Sequence, residues 1–262
     1  MTAGRWQPTQ YLKFENPRLR PALDLLARIP LEKPGEIVDL GCGTGNVTCL
    51  LAERWPQARI TGVDSSPEML KKANETPGVI DWVEGDAADW RPQRPVDLLF
   101  SNAALHWLDH HDRLFPCLVD CLKPGGYLAV QIPNNYRNPS HTLLAEAVCA
   151  GPWKERLEPL LRPTPVASPG FYDALLAPLC DEVEIWETEY QHVLTGDNPV
   201  LAWTRGTTLR PLLTALEAEP DLHNGFLAAY GGLLQKAYPA QGAGRVLFPF
   251  RRLFILARCI SG

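Results

Sequence analysis

Three glycines at alternate positions, Gly41, Gly43 and Gly45, follow directly on the run 36–40 and constrain this chain more than any other feature. Ile37-Val38-Asp39-Leu40 reads as a buried parallel strand, and the glycines let the chain turn tightly into a helix that begins near Asn46. Backbone at such a turn approaches a ligand with no side chain in the way. A second strand over 59–63 ends at Asp64, a carboxylate placed to accept both hydroxyls of a ribose. The dinucleotide fingerprint needs Gly or Ala at its sixth position to bring helix and strand together, and here that position is Asn46. This argues against a nicotinamide dinucleotide. The alternative is a strand-to-helix turn that holds nothing, but three glycines carry an entropy cost that a plain turn does not require.

With 262 residues the chain can form one large α/β domain, or a domain with a sizeable insertion. Its net charge of -5 gives no overall basic field, so nucleic acid is not expected as a partner. Residues 1–8 lack the apolar core of a signal peptide and no segment reaches the length of a membrane span, so no membrane partner and a cytoplasmic location are expected. Seven cysteines, among them Cys117, Cys121 and Cys149 in apolar segments, show no C-x-x-C pairing and read as small core residues. His106, Asp109, His110, His111 and Asp112 form a dense polar cluster, read as a solvated, capped helix start rather than a metal site. No metal is expected.

Periodicity predicts strands over 36–40, 59–63, 79–84, 96–100 and 126–132, with helices over 17–28, 45–54, 66–74 and 108–122. This is the rhythm of an α/β, doubly wound, mostly parallel sheet. It breaks after Gln131, where Pro139, Pro152, Pro159, Pro163, Pro165, Pro169 and Pro178 are expected to interrupt any long element. Two later runs, 182–194 and 253–260, read as a hairpin-like pair at the sheet edge and complete seven strands. The expected division is a cofactor-binding domain of residues 1–133, 181–196 and 247–262, and an inserted, mainly helical cap of residues 134–180 and 197–246 that forms the substrate site. Open α/β sheets bind ligands at the carboxyl ends of their strands.

Val38-Asp-Leu-Gly-Cys-Gly-Thr-Gly-Asn46 resembles the first motif of the class I S-adenosylmethionine-dependent methyltransferases, and the match continues in register over about residues 36–132. The resemblance implies a Rossmann-like methyltransferase fold with S-adenosylmethionine as cofactor and S-adenosylhomocysteine as product. It implies that Asp64 holds the ribose, that Asp86 of Glu84-Gly-Asp-Ala87 accepts from the adenine amino group, and that Asn102 lies beside the methionine moiety. Asp39, Gly41, Gly43, Gly45, Asn46, Ser65, Met69 and Ala87 complete the implied cofactor site, with Trp6, Tyr11 and Arg20 as a lid. A narrower resemblance, to the trans-aconitate 2-methyltransferases, rests on Trp6-x-Pro8-x-x-Tyr11, Arg54-Trp-Pro56, Pro139-Ser-His141, Phe171-Tyr-Asp173, Trp203-x-x-Gly-Thr-x-Leu-Arg-Pro211 and Phe248-Pro-x-Arg-Arg-Leu-Phe254.

That resemblance implies methyl transfer to a carboxylate of a small polycarboxylic acid, with trans-aconitate the leading substrate. A carboxyl group with a pKa near 4 is ionised at neutral pH, so no catalytic base is required. The protein must instead grip the remaining carboxylates. Arg205, Arg210, Arg251 and Arg252 are the candidate clamps, with hydroxyls from Tyr172 and Tyr238, because a planar guanidinium pairs with a carboxylate through two bonds. His106 is a candidate donor, and Trp107 and Trp203 are candidate contacts that serve equally as packing residues. The remaining readings are another small-molecule O- or C-methyltransferase and a cofactor-binding regulator without catalysis. A monomer or small homo-oligomer is expected.

Overall fold

The computed structural model describes residues 19–76, 78–206 and 208–260. Helix α1 (Arg20–Arg28) precedes the alternation β1 (Glu36–Leu40), α2 (Asn46–Arg54), β2 (Arg59–Asp64), α3 (Pro67–Ala73), β3 (Asp81–Glu84) and β4 (Val96–Asn102). Helix α4 (His111–Val119) and strand β5 (Leu122–Pro133) follow. Then come α5 (Pro139–Ala150), α6 (Lys154–Leu157), α7 (Pro169–Leu176), β6 (Cys180–Thr195), α8 (Pro199–Arg205), α9 (Arg210–Ala215), α10 (Pro220–Ala237) and β7 (Arg245–Cys259). The strands form one seven-stranded sheet in the order β3-β2-β1-β4-β5-β7-β6. Strands β1 to β5 are mutually parallel, and β7 runs antiparallel to β5. The order reverses between β1 and β4, where Asp39 lies opposite Phe100, and such a reversal opens a crevice at the strand ends.

Chemistry explains the elements. Ile37 to Leu40 are all buried, as a central strand covered on both faces must be. Helix α3 opens on Ser66, whose side chain accepts from Met69 N, with Pro67 in the first turn where its missing N–H costs nothing. The expected helix over 108–122 is shorter. Ala103 and His110 take left-handed backbone conformations that break the path into a single turn at Leu105–Trp107 and a later α4. The Lys123-Pro-Gly-Gly126 turn is absorbed into β5, where Leu122 pairs with Val96 before the register slips to Leu98 opposite Tyr127. The prolines behave differently from expectation too. Pro139 and Pro169, with Pro199 and Pro220, sit in the first turns of helices and start them rather than interrupt them.

The chain divides into two compact units. One holds the sheet through Pro133, Pro165–Thr188 and the chain from Arg252 onward; the other holds Asn134–Thr164 and Glu189–Arg251. Helix α7, expected with the insert, belongs to the sheet unit, where Tyr172 packs on Phe115 of α4 with ring centroids 4.9 Å apart. The second unit has its own core, built where α5 packs on α10 and including Trp153, Phe226, Tyr230 and Phe248.

At the amino ends of the central strands, Asp97 Oδ2 accepts from Gly35 N (2.9 Å), Glu36 N (2.8 Å) and Lys123 Nζ (2.8 Å). One carboxylate thereby ties β1, β4 and β5 together. Burial pushes its pKa up, but the Lys123 and backbone hydrogen bonds outweigh this and hold it below the ordinary aspartate value. Asp97→Ala is expected to destabilise the chain by about 2 kcal/mol, the usual loss when donors surrender a charged acceptor. Urea unfolding of the variant beside the parent measures the difference.

Candidate active site

All three glycines of the first turn adopt positive φ: +79° at Gly41, +57° at Gly43 and +78° at Gly45. Two are also hemmed in. A Cβ on Gly41 would stand 2.2 Å from Ala104 Cβ, and one on Gly45 would stand 2.6 Å from the Trp82 ring. At Gly43 nothing among the described residues lies within 4 Å of a Cβ position. Gly41 N and Cys42 N both donate to Val63 O, at 2.8 and 2.9 Å. Gly43 N donates to Asp64 Oδ2 at 2.8 Å, and Ser66 N donates to Asp64 Oδ1 at 2.9 Å. The acid at the end of β2 is thus aimed by two backbone donors, one from each of the turns that follow β1 and β2. Each oxygen keeps a further acceptor site.

Behind the turn, Asp39 is buried and accepts from Thr48 Oγ1 at 2.6 Å. Burial raises its pKa to about 7, against the lowering effect of the Thr48 bond and with a further rise from nearby Asp64. Burial, with Asp39 and Asp64, also pushes the Cys42 thiol far up, so it stays protonated and serves as packing.

Registers place the carboxyl ends of the strands in one line. Leu40 lies opposite Val63, Asn102 opposite Gln131, and Gln131 opposite Phe254. Ser101 Oγ donates to Leu40 O at 2.7 Å and Ala103 N to Gln131 O at 2.9 Å, which fixes the ends of β1, β4 and β5 together. Asn102 Oδ1 is buried and has no hydrogen-bond partner among the described residues. Asp86 is exposed; its Oδ1 accepts from Ala88 N at 2.9 Å and leaves Oδ2 open, with Ala87 half-buried beside it. Ser65 and Asn46 are exposed and Met69 is half-buried in α3. Arg20 is exposed and pairs with Asp24 at 3.8 Å, while Trp6 and Tyr11 lie outside the described residues.

The expected substrate residues divide between the units. His106, Trp107, Tyr172 and Arg252 belong to the sheet unit; Trp203, Arg205, Arg210, Tyr238 and Arg251 belong to the other. Arg252 is buried near the start of the β7 segment that pairs with β5, opposite Pro133. His106 is half-buried, and Trp107, tilted against it at 4.7 Å, is half exposed. Tyr172, expected as a donor to substrate, is fully buried, and its hydroxyl is engaged by His111 Nδ1 (2.6 Å) and Ala167 N (3.2 Å). It is a packing post between α4 and α7. His111, expected on a solvated helix start, is correspondingly buried, with Nε2 3.0 Å from Leu105 O and a pKa lowered chiefly by burial. Tyr238 is buried and its hydroxyl accepts from Ser140 N at 3.0 Å. Trp203 stacks on His192 at 4.8 Å within an aromatic cluster that includes Phe248 and Phe250. Arg205 and Arg210 are exposed, as is Arg251, which lies 3.7 Å from Glu189.

Sequence reasoning missed Thr48, Trp82, Ala104 and Gln131. For Gln131 a signal existed: a lone amide in the otherwise apolar run Leu128-Ala-Val-Gln-Ile132. The others act through volume or one hydroxyl, for which spacing carries no mark.

Asp39 gives a pH dependence of stability. Burial favours its protonated form in the folded chain, so the folded state loses stability relative to the unfolded chain as pH rises from the ordinary value of 3.8 toward about 7. Asp39→Asn keeps an acceptor for Thr48 and cannot ionise. Thermal unfolding from pH 4 to pH 8 is expected to show a variant whose Tm falls less across this window and exceeds the parent's at pH 8.

A family model described as a methyltransferase domain matches residues 37–126, the span from β1 to the start of the last parallel strand. The trans-aconitate 2-methyltransferase of Azoarcus sp. (strain BH72) is 48% identical over 252 residues, covering 96% of this chain and 98% of that protein. That of Escherichia coli O157:H7 is 44% identical, covering 97% and 98%. Among solved structures, the YcgJ protein of Bacillus subtilis superposes with a TM-score of 0.58 at 14% identity over 93% of this chain and all of that one. Haemonchus contortus phosphoethanolamine N-methyltransferase 2, solved in complex with S-adenosyl-L-methionine, gives 0.55 at 17% identity, covering 98% of this chain and 58% of that one. The structural matches show the class I methyltransferase fold. With identity this high along nearly the full length of both partners, the chain belongs to the trans-aconitate 2-methyltransferase family.

Proposed function

We propose that the chain transfers the methyl group of S-adenosylmethionine to a carboxylate of trans-aconitate, giving a monomethyl ester and S-adenosylhomocysteine. The observation that carries this reading is the Gly41–Asn46 turn locked to Asp64 in a chain related end to end to trans-aconitate 2-methyltransferases. The residues fit the cofactor. No described residue crowds Gly43, Asp64 has an acceptor site left on each oxygen for two ribose hydroxyls, Asp86 Oδ2 is open to an amino group, and Asn102 Oδ1 awaits a donor. When bound, the cofactor supplies an electrophilic methyl on a positively charged sulfur.

The chain's own residues then have three tasks. The turn and Asp64 hold the donor rigidly at the sheet's switch point, where alignment can contribute much of the rate. A buried cation, Arg252, takes a carboxylate of the acid that does not react, and Arg205, Arg210 and Arg251 are further candidates. His106 donates to the acid rather than taking a proton from it, because an ionised carboxylate has none to give. The partner is a small molecule. Among the described residues no helix is long and apolar enough to cross a membrane.

Two measurements test the reading. Asp64→Ala is expected to weaken S-adenosylhomocysteine binding by at least about a hundredfold, two charge-assisted bonds being worth about 1.5–3 kcal/mol each, with the fold retained. Titration calorimetry decides it; unchanged affinity removes Asp64 from the site. With both substrates saturating and chemistry shown to limit by single-turnover kinetics, kcat on trans-aconitate is expected to stay nearly flat from about pH 6.5 to about pH 8.5. His106→Gln should alter affinity for the acid and leave that profile intact. A tenfold rise between about pH 6 and 7 that vanishes in this variant would make His106 a base and sink the carboxylate mechanism.

A further inference from the structure

Gln131 stands near the carboxyl end of β5 with a side-chain amide that no described residue engages. It is 1% exposed, and neither Nε2 nor Oε1 has a hydrogen-bond partner among the described residues. Its neighbour across the parallel ladder is Asn102, whose Oδ1 is likewise unpartnered. Across the antiparallel ladder it faces Phe254, on which Trp186 stacks at 4.8 Å. Residues directly opposite share a face of the sheet, as do residues two apart, so Asn102, Gln131, Phe254 and the buried Arg252 belong to one face. Leaving a buried polar group unpaired is costly, and methionine would fill a similar volume without that loss. The amide's partner therefore lies outside the described residues, and a bound ligand is the partner its place in the sheet suggests.

Strand spacing says which partner. Neighbouring strands lie about 4.8 Å apart, so the third strand from β2 stands about 14 Å from it. With Asp64 on the ribose and Asn102 two strands away beside the rest of the donor, β5 lies one strand beyond, on the acceptor's side. From this placement we infer that Gln131 determines specificity for the methyl-accepting acid, its Nε2 donating to the reacting carboxylate while Arg252, on the same face, takes another. The inference rests on the carboxylate reading of the function. An amide suits this post because it orients an anion without neutralising it, whereas a cation there would blunt the attacking oxygen. The carbonyl end of Gln131 and Asn102 Oδ1 are acceptors suited to the positive side of the donor.

The test is calorimetric titration of trans-aconitate into protein saturated with S-adenosylhomocysteine, for the parent, Gln131→Met and Gln131→Glu. Affinity for the acid is expected to fall about tenfold in the methionine variant. It should fall by more than about thirtyfold in the glutamate variant, where like charges meet. Affinity for S-adenosylhomocysteine should stay within about threefold in both. Tm of Gln131→Met should rise, since an unpaired buried amide has been removed. Acid affinity within twofold of the parent in the folded variants overturns the inference and makes Gln131 structural, and an equal loss of S-adenosylhomocysteine affinity overturns it by assigning the residue to the cofactor. Should Gln131→Met fail to fold, the isosteric glutamate variant carries the same comparison. A parent protein that binds S-adenosylhomocysteine but no acid overturns the functional reading itself, and this inference with it.

Discussion

The bond from Gly43 N to Asp64 Oδ2 is the constraint on which the rest of the site depends. It joins two turns that are twenty-one residues apart in sequence and makes them one surface. The backbone must carry Gly43 into a left-handed conformation to point that N–H at the carboxylate, and the flanking glycines must yield space to Ala104 and Trp82. The acid in turn is held at both oxygens, by Gly43 N and Ser66 N, so its carboxylate plane is fixed. Precise aim of this kind is worth more to a transfer reaction than any single contact, because the barrier responds steeply to misalignment.

Electrostatics at the site are arranged in depth. Asp39, sealed behind the turn, holds a proton more readily than a surface acid, whereas Asp64 has its charge spread over two backbone donors. Two acids so close could not both be buried and ionised without mutual cost. Thr48 partly relieves the inner one, and solvent and backbone serve the outer one.

Much of this was legible in the sequence. The glycines, Asp64 and the strand rhythm fixed the sheet, because backbone conformation and hydrophobic period leave direct marks. Less was legible where tertiary contact overrides local pattern. Tyr172 carried a hydroxyl that the family resemblance and the need to grip a polyacid assigned to substrate, yet it is consumed by His111 and Ala167. His111 looked polar among acids and is buried because α7 covers it. The prolines after Pro133 read as breaks, but at a first helical turn the same missing N–H is harmless, and nothing local distinguishes the two roles. Gln131 was visible as a letter out of place. Its meaning needed the registers with Asn102 and Phe254.

Trp82 fills volume left by two glycines from other elements. A Cβ on Gly62 would stand 2.4 Å from its ring, and one on Gly45 2.6 Å. Three positions therefore constitute a single steric unit, and their histories are coupled. A lineage cannot gain a side chain at either glycine while the indole remains, and once the indole shrinks the glycines lose the reason for their smallness in that direction. Drift at these sites must proceed in order, ring first, through an intermediate with a void beneath the turn. A change at any one of the three positions therefore has to be answered at the others before the packing beneath the turn is restored.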